Sequence, residues 1–410
     1  MSLALLLLGC APCPSGFLEE VWSFEAEPVE AGQWPQYRLD PGHSGVAPEG
    51  TVFDPGMSLT WKSEAYAIGV YSASKGSPSL AGDGVYVGID DGVLRKFDAE
   101  SGALVWEFRT RQAEDEEDNP PEENRGIHGT PAVADGRVFI GAYDGWIYAL
   151  DAESGELLWD RELGGSIGAS PTVHGDVVLM AVEYPSPDGR VYALDAETGC
   201  VAFESDKVGD HPHSSTTVDL GRGIAFVGAN NGSFTAWDLV EREERWTATT
   251  GAEIKSTAAV DGELVFISSW DTRLHAFAIE DGQRRFSFAT GAASMSSPSV
   301  YDGVVYVGSH DGYLYAIDAD PDVDGADDQA RQLWRTWLGG KVLSSPTIVP
   351  ESGVLLVGSN DGTLSALALE DGSQVWSEDL GSTLSSVPVV TGRTVLATDA
   401  SGTTWRWDAE

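Results

Sequence analysis

The sequence is poor in cysteine, in basic residues and in long apolar runs. Its three cysteines, Cys10, Cys13 and Cys200, are too few for a disulfide framework, and Cys200 lies in a predicted turn where we expect a free thiol. The hydrophobic content of 42% is nevertheless ample for a packed core. Beyond residues 3–8 no segment approaches the ~18 apolar residues of a membrane span, so we expect membrane contact only through the N-terminus.

The scarcity of basic residues excludes one class of partner. Lysine and arginine number 24 against 65 acidic residues, which gives a formal net charge of −41. Such a surface repels the phosphate backbone, so we expect no nucleic-acid partner. We interpret the acidity as a solubility feature or an adaptation to a saline medium, and the alternative is binding of cations or of a basic partner.

The sequence also lacks the short motifs that mark common catalytic sites. It has no nucleophile elbow, P-loop, HExxH or CxxC pattern. We therefore predict no catalytic and no cofactor-binding residue from local patterns.

What the sequence does contain is one short phrase, repeated eight times and closed each time by an aromatic residue. The clearest copy is Ala149–Trp159, and the last copy begins at 406–410, where the chain stops. Its missing half stands near the start, at 58–61, and ends in Trp61. A repeat cut by the termini and completed from the other end predicts a ring that the chain closes on itself. The other copies end at Trp106, Phe203, Trp246, Phe286, Trp334 and Trp376.

Each repeat is predicted to contain four short strands. A Ser/Thr-rich start leads into an apolar strand, and later Asp-Gly or Asn-Gly dipeptides supply the positive φ of two-residue hairpins. The starts lie about 40 to 53 residues apart, which is typical of propeller blades. We therefore predict an all-β fold: an eight-bladed β-propeller of four-stranded antiparallel blades, with the eighth blade closed by an N-terminal strand. The starts are at Ser77, Thr130, Ser170, Ser297 and Ser345, with weaker copies at Ser215, Ser256 and Ser386.

The N-terminal region precedes the repeats and divides into residues 1–10 and 11–56, with the propeller at 57–410. An apolar run ending in Gly9 and Cys10 resembles the lipobox of bacterial lipoproteins, and the resemblance implies lipidation of Cys10. A plain secretory signal and an incidental apolar end are the alternatives. Residues 11–56 are interpreted as a tether and lead-in, which we expect to hang the ring from the eighth blade.

The repeated phrase, Ala-x-Asp-x-x-Ser/Thr-Gly-x-x-x-Trp, resembles the tryptophan-docking motif of PQQ-like repeats in quinoprotein-type propellers. The resemblance covers residues 57–410, and the segment 34–37 resembles the lead-in of such proteins. It implies that the closing aromatics pack on a neighbouring blade and are structural. In length, and in its lipobox, the chain looks like the BamB-like outer-membrane assembly lipoproteins of that family.

This resemblance implies a non-catalytic, lipid-anchored envelope propeller that acts as a protein-interaction scaffold. More narrowly, it implies a role in outer-membrane protein assembly. The expected partners are envelope proteins, and the expected form is a monomeric ring. We expect membrane contact through the lipid anchor alone, at the outer membrane, facing the periplasm or the cell surface.

A PQQ-dependent dehydrogenase is one alternative. The alcohol-oxidising branch of the family carries adjacent cysteines over its cofactor, and no adjacent pair occurs here, so the sequence does not favour PQQ. A quinone or metal pocket would have to use basic residues expected at the mouth of the axial channel: Lys75, Arg125, His128, His211 and His213.

A calcium-dependent surface binder is the other alternative. Alternating aspartates around Gly325 resemble calcium loops of extracellular repeat proteins, and Ca²⁺ prefers six to eight oxygen ligands. Arg331 stands where an EF-hand has its bidentate glutamate. The loop is an insertion in the sixth blade, on the face opposite the Asp-Gly hairpins, and calcium is the expected ion. The predicted ligands are Asp320, Asp322, Asp324 and Asp328.

Overall fold

The computed structural model describes Cys13 and residues 29–67, 76–111, 126–320 and 328–409. Over these residues the chain forms 32 strands, arranged as eight four-stranded antiparallel sheets. The predicted all-β, eight-bladed propeller is confirmed. In each blade the first strand is three residues long and nearest the axis, while the fourth is outermost and half exposed.

The strands follow the repeats closely. β1 (Ser58–Lys62) comes first in the chain and belongs to the last blade. Blades one to four consist of β2 (Ser79–Ala81), β3 (Gly84–Gly88), β4 (Val93–Asp98), β5 (Leu104–Arg109); β6 (Ala132–Ala134), β7 (Arg137–Gly141), β8 (Trp146–Asp151), β9 (Leu157–Glu162); β10 (Thr172–His174), β11 (Val177–Glu183), β12 (Gly189–Asp195), β13 (Val201–Glu204); β14 (Thr217–Asp219), β15 (Ile224–Gly228), β16 (Ser233–Asp238) and β17 (Glu243–Thr249).

The second half of the ring repeats the pattern. Blades five to eight consist of β18 (Ala259–Asp261), β19 (Leu264–Ser268), β20 (Arg273–Ala278), β21 (Arg284–Ala289); β22 (Ser299–Tyr301), β23 (Val304–Gly308), β24 (Tyr313–Asp318), β25 (Gln332–Trp337); β26 (Thr347–Val349), β27 (Val354–Gly358), β28 (Thr363–Ala368), β29 (Gln374–Asp379); β30 (Val389–Thr391), β31 (Thr394–Thr398) and β32 (Thr404–Asp408). Two short 3-10 helices, Asp328–Arg331 and Pro350–Ser352, complete the described elements.

The ring closes through the pairing of β1 with β32. Ser58 is opposite Asp408 and Leu59 is opposite Trp407 in an antiparallel ladder, and the register shifts between Leu59 and Trp61. The N-terminal strand is therefore the fourth strand of the eighth blade, as the split repeat predicts. Closure leaves no long unpaired edge at the junction of the two termini.

The polar residues of the repeated phrase build the turn between the third and fourth strands. Asp151 accepts hydrogen bonds from the backbone N–H and the hydroxyl of Ser154, each at 2.8 Å. Gly155 follows with a φ of +74°, which favours glycine. The register shifts between Ala149 and Leu150, and such a bulge re-aims the neighbouring side chains.

The closing aromatic of one blade packs on that turn in the next blade. The indole of Trp159 donates a hydrogen bond to the carbonyl of Ala196 at 3.0 Å. A Cβ atom at Gly199 would lie 2.4 Å from the Trp159 ring, so only glycine allows this contact. The same indole-to-carbonyl bond joins Trp61 to Ala99, Trp246 to Ile279 and Trp334 to Leu369.

Two expectations about the N-terminal region and the cysteines were wrong. Cys200 is not a free thiol, because it forms a disulfide with Cys13 across 187 residues of sequence, with a Cα–Cα distance of 5.5 Å. Nor does the N-terminal region attach to the eighth blade alone, since this bond ties Cys13 to the third blade. The pairing depends on the closed ring bringing the two segments together.

Candidate functional site

The lead-in before β1 covers one mouth of the axial channel. Trp34 exchanges two backbone hydrogen bonds with Leu80 of the first blade, at 2.7 and 2.8 Å. Further along, Gly45 and Ala47 form a similar pair with Ile348 of the seventh blade. The lead-in also bonds to the inner strands of blades two, three and four, and to the turn after β30 in the eighth blade. The bonded pairs are Pro35 and Val133, Gln36 and Val173, Pro41 and Val218, and Val52 and Gly392.

Arg38 is a charged residue of the lead-in that is buried where the lead-in crosses the ring. Arg38 is fully buried and donates from Nη2 to the carbonyl of Pro298 at 2.5 Å and to the hydroxyl of Ser299 at 2.6 Å. Burial lowers the pKa of its guanidinium to about 10. Burial also raises the pKa of Asp40. Its carboxylate accepts hydrogen bonds from Ser44, which lower that pKa, but the effect of burial is larger. These groups fix the lead-in across the channel.

His43 is the second buried basic side chain of the lead-in. Its Nδ1 lies 2.8 Å from the carbonyl of Tyr37, and its Nε2 lies 3.2 Å from the hydroxyl of Thr172 and the carbonyl of Thr216. Burial, and the nearby charge of Arg38, lower the pKa of His43 to about 4. The imidazole is therefore neutral at neutral pH.

A circular series of hydrogen bonds surrounds the axis. It lies beneath the other mouth of the channel, which the lead-in leaves open. The backbone N–H of the start residue in one blade donates to the hydroxyl of the equivalent residue in the next blade, at 2.8–3.1 Å. The circle is interrupted at the eighth blade, where Val387 has no hydroxyl to offer to Ser345. The hydroxyl acceptors are Thr130, Ser170, Ser215, Thr257, Ser297, Ser345 and Ser77.

This circle corrects two predicted blade starts by one residue. The positions equivalent to Ser345 are Thr257 and Val387, and not Ser256 and Ser386. Ser386 instead donates its hydroxyl proton to the carbonyl of Thr398, within its own blade. The sequence misled because neither start has the Ser-Pro or Thr-Pro pair that marks the clearer copies.

An axial cavity of about 90 Å³ lies between this circle and the open mouth. Tyr37 of the lead-in lines it from below, and the hydroxyls of Ser170, Ser215, Thr257 and Ser345 line its wall. The residues two positions before the blade start line it in seven of the eight blades, and the equivalent residue of the first blade lies outside the described residues. In chain order these residues are His128, Gly168, His213, Lys255, Met295, Leu343 and Ser385.

The structure thus brings His128 and His213 to the axial cavity, where the sequence predicted them. His211 does not line it but stacks on His213, with ring centroids 6.4 Å apart. The Nδ1 atom of His213 lies 2.8 Å from Oε1 of buried Glu183. Lys75 and Arg125 lie outside the described residues. Lys255, which sequence reasoning missed, could have been found by aligning its position with His213 in the preceding repeat.

The predicted calcium loop is described only at its ends. Asp320 is exposed and Asp328 begins a 3-10 helix, while Asp322 and Asp324 lie outside the described residues. Arg331 is buried, donates to the carbonyl of Asp320 at 2.5 Å and covers the ring of Phe286 at 3.9 Å. Within the described ranges no group of three or more His, Cys, Asp or Glu side chains is arranged to hold a metal ion. Calcium binding stays a prediction.

The predicted lipidation site, Cys10, also lies outside the described residues. Nothing in the described part of the chain forms a helix long and apolar enough to cross a membrane. Lipidation of Cys10 stays a prediction, because the described residues do not include this cysteine.

The closed ring of four-stranded blades, with an indole of one blade docked on the turn of the next, defines the chain as a tryptophan-docking β-propeller. Family comparison narrows this class. The chain belongs to the family described as outer membrane protein assembly factor BamB, whose model matches residues 90–220, 188–321 and 319–410.

The similarity to individual relatives is modest. BamB of Salmonella typhimurium is 36% identical over 90 residues, which cover 22% of each chain. BamB of Nitrosomonas eutropha is 24% identical over 252 residues, which cover 61% of this chain and 54% of that protein. The match to the Salmonella protein thus spans about a fifth of its length.

Solved structures share the fold at low identity. BamB of Moraxella catarrhalis superposes with a TM-score of 0.66 and 18% identity, covering 86% of this chain and all of that one. A europium-containing methanol dehydrogenase gives a TM-score of 0.74 and 13% identity, covering 95% of this chain and all of that one. These likenesses concern the fold alone.

The described residues around the axial cavity leave little room for the tricyclic quinone of PQQ-dependent dehydrogenases. A cavity of about 90 Å³ is well below the ~300 Å³ at which cofactor pockets begin. Lys255 is the one lysine or arginine among its described lining residues, whereas PQQ carries several carboxylates.

Proposed function

We propose that this chain is a non-catalytic, lipid-anchored envelope scaffold that acts in outer-membrane protein assembly. The observation that carries the proposal is the match of the BamB family model to residues 90–410. The relatives are named for that role, and the small volume of the described axial cavity favours a role without a bound quinone. The chain then acts through its surface, by holding partner proteins.

The outer strand of the sixth blade is the surface that we propose for partner contact. Trp337 is 61% exposed and Leu333 is 52% exposed, the two highest values among the large apolar side chains described. Arg335 stands between them on the same strand, over the ring of Tyr313 at 4.6 Å. Tryptophan, tyrosine and arginine are enriched in the energetic centres of protein interfaces.

The proposed anchor would hold the ring by its third blade. Cys10 precedes Cys13 by three residues, which extend to about 11 Å at most. Since Cys13 is bonded to Cys200, a lipid on Cys10 would lie close to the third blade. The disulfide would then shorten the tether and limit the orientations of the ring at the membrane.

Site-specific photo-crosslinking in the bacterial envelope tests the partner. A photoreactive amino acid would replace Trp337, and the matched control would carry it at Val240, a 47% exposed position in the fourth blade. We expect a crosslink to a component of the β-barrel assembly machinery from position 337 and none from 240. Recovery of no such component from either position would contradict the assembly role.

The anchor has its own test, which is independent of the partner. Metabolic labelling with a fatty acid should label the wild-type chain and leave Cys10→Ser unlabelled. An unlabelled wild type that is still released by cleavage would favour the plain secretory signal. A chain of uncleaved length would indicate an incidental apolar end.

Calcium-dependent surface binding is a second candidate function, favoured by the surroundings of Asp320. It lines a groove of about 660 Å³ between the fifth and sixth blades, together with Asp318 and Asp302. Carboxylate oxygens are suitable calcium ligands. The backbone carbonyl of Asp320 already accepts a hydrogen bond from the guanidinium of Arg331. Calorimetric titration with Ca²⁺ of the wild type and of the double variant Asp322→Ala/Asp324→Ala tests this function. Equal heats of binding from the two proteins would rule the site out.

A further inference from the structure

The hydroxyls beneath the open mouth form a set of unused hydrogen-bond donors. Ser170, Ser215, Thr257 and Ser345 each accept a backbone N–H from the preceding blade, at 2.9–3.1 Å. A hydroxyl can accept and also donate. Among the described residues none of these four hydroxyl protons has an acceptor, and all four side chains line the axial cavity. The cavity therefore offers donors that need an acceptor.

The described lining of this cavity contains an ammonium group and no carboxylate, in contrast to the acidic chain as a whole. The net charge of the chain is −41, yet no aspartate or glutamate is found among the described lining residues. Lys255 is there, with its Nζ atom 4.2 Å from the centroid of the Trp270 ring. The nearby carboxylate of Glu183 faces His213 at 2.8 Å. A bound anion would meet an ammonium group and hydroxyl donors, which together favour charge-assisted hydrogen bonds.

Two apolar side chains line the cavity next to Lys255. Met295 and Leu343, from the sixth and seventh blades, occupy the positions equivalent to Lys255 in the fifth. A volume of about 90 Å³ holds only a few non-hydrogen atoms. The charged and the apolar part of the lining together match a small ligand with one charged end and one short aliphatic end.

From these observations we propose that the axial cavity is a binding site for a small aliphatic monocarboxylate. The carboxylate accepts hydrogen bonds from Lys255 and from the hydroxyls of Ser215 and Thr257, and its alkyl end contacts Met295 and Leu343. The site is independent of the scaffold role, since it uses the inside of the ring and not its outer strands.

Titration of the purified full chain with propionate tests the proposal, followed by calorimetry and by ligand-observed NMR. We expect a millimolar dissociation constant, which is reasonable for so small a ligand. Propionamide, which has the same shape without the charge, should bind at least about tenfold more weakly. Chloride at the same ionic strength controls for general screening.

Two variants locate the binding. Lys255→Gln should weaken propionate binding about tenfold or more, whereas Lys341→Gln, which removes a lysine that does not line the cavity, should leave it unchanged. Met295→Glu should abolish binding, because it places a charge against the alkyl end of the ligand and a like charge beside its carboxylate, while Lys255 is kept. Absence of propionate binding, equal binding of propionamide, or equal loss in the Lys255 and Lys341 variants would each overturn the proposal.

Discussion

The indole nitrogen of Trp61 donates a hydrogen bond to the carbonyl of Ala99 at 2.9 Å. Trp61 lies in the N-terminal strand of the eighth blade and Ala99 follows the third strand of the first, so this bond joins the two blades at the closure of the ring. The same carbonyl also accepts a hydrogen bond from Arg406 on β32. Closure thus depends on strand pairing within a blade and on docking between blades.

Trp61→Ala should lower the free energy of unfolding by about 3–5 kcal/mol, the usual cost of truncating a buried aromatic side chain. Trp61 is 8% exposed and packs against Phe97 in the first blade. Urea unfolding followed by circular dichroism measures the change. Trp337→Ala, at a 61% exposed position, is the matched control and should change stability by no more than about 0.5 kcal/mol. Equal effects of the two substitutions would refute the closing role of Trp61.

Gly102→Ala should destabilise the ring more than Gly136→Ala does, although both glycines have a positive φ, of +70° and +71°. At Gly102 a Cβ atom would lie 2.6 Å from the Trp61 ring, whereas at Gly136 it would meet nothing within 4 Å. The Gly136 variant should lose about 1–2 kcal/mol from backbone strain alone. The Gly102 variant should lose about 1–3 kcal/mol more, because the indole must move. Equal losses in thermal unfolding would mean that docking does not require this glycine.

The blade count could be predicted from the sequence because the repeat has a local cause. The Asp151 to Ser154 turn, Gly155 and Trp159 act within eleven residues or through the adjacent blade, so each copy carries the same residues. The path of the lead-in had no such pattern. Arg38, His43 and Cys13 find partners that are distant in sequence, and only the closed ring brings those partners together.

His43 should make stability fall as the pH drops below neutrality. Its pKa in the folded chain is about 4, below the 6.5 of the exposed group, so the unfolded chain binds more protons over that interval. The contribution of neutral His43 to the free energy of unfolding is complete above pH 6.5. It is lost as the pH falls towards 4, and the total loss is about 3 kcal/mol. Asp40, with its raised pKa, acts in the opposite sense, because the folded chain binds the extra proton.

The comparison of the wild type with His43→Gln isolates this contribution of His43. Urea unfolding at intervals from pH 7.5 to 4 should show a steeper loss of stability in the wild type than in the variant. The variant is expected to be less stable at pH 7.5, because it loses contacts with Tyr37 and Thr172. Parallel pH profiles for the two proteins would show that His43 does not keep its low pKa.

Val387→Thr should complete the circle of hydrogen bonds around the axis and raise the free energy of unfolding by about 0.5–1.5 kcal/mol. Threonine has nearly the shape of valine, and its hydroxyl would stand where the other seven blades place theirs, within reach of the Ser345 N–H. Val387 is 3% exposed, so a hydroxyl without a partner there would be destabilising instead. Val387→Ala, which removes the methyl groups without adding a donor or acceptor, should lower stability. If threonine destabilises as much as alanine does, the eighth blade does not follow the hydrogen-bond geometry of the others.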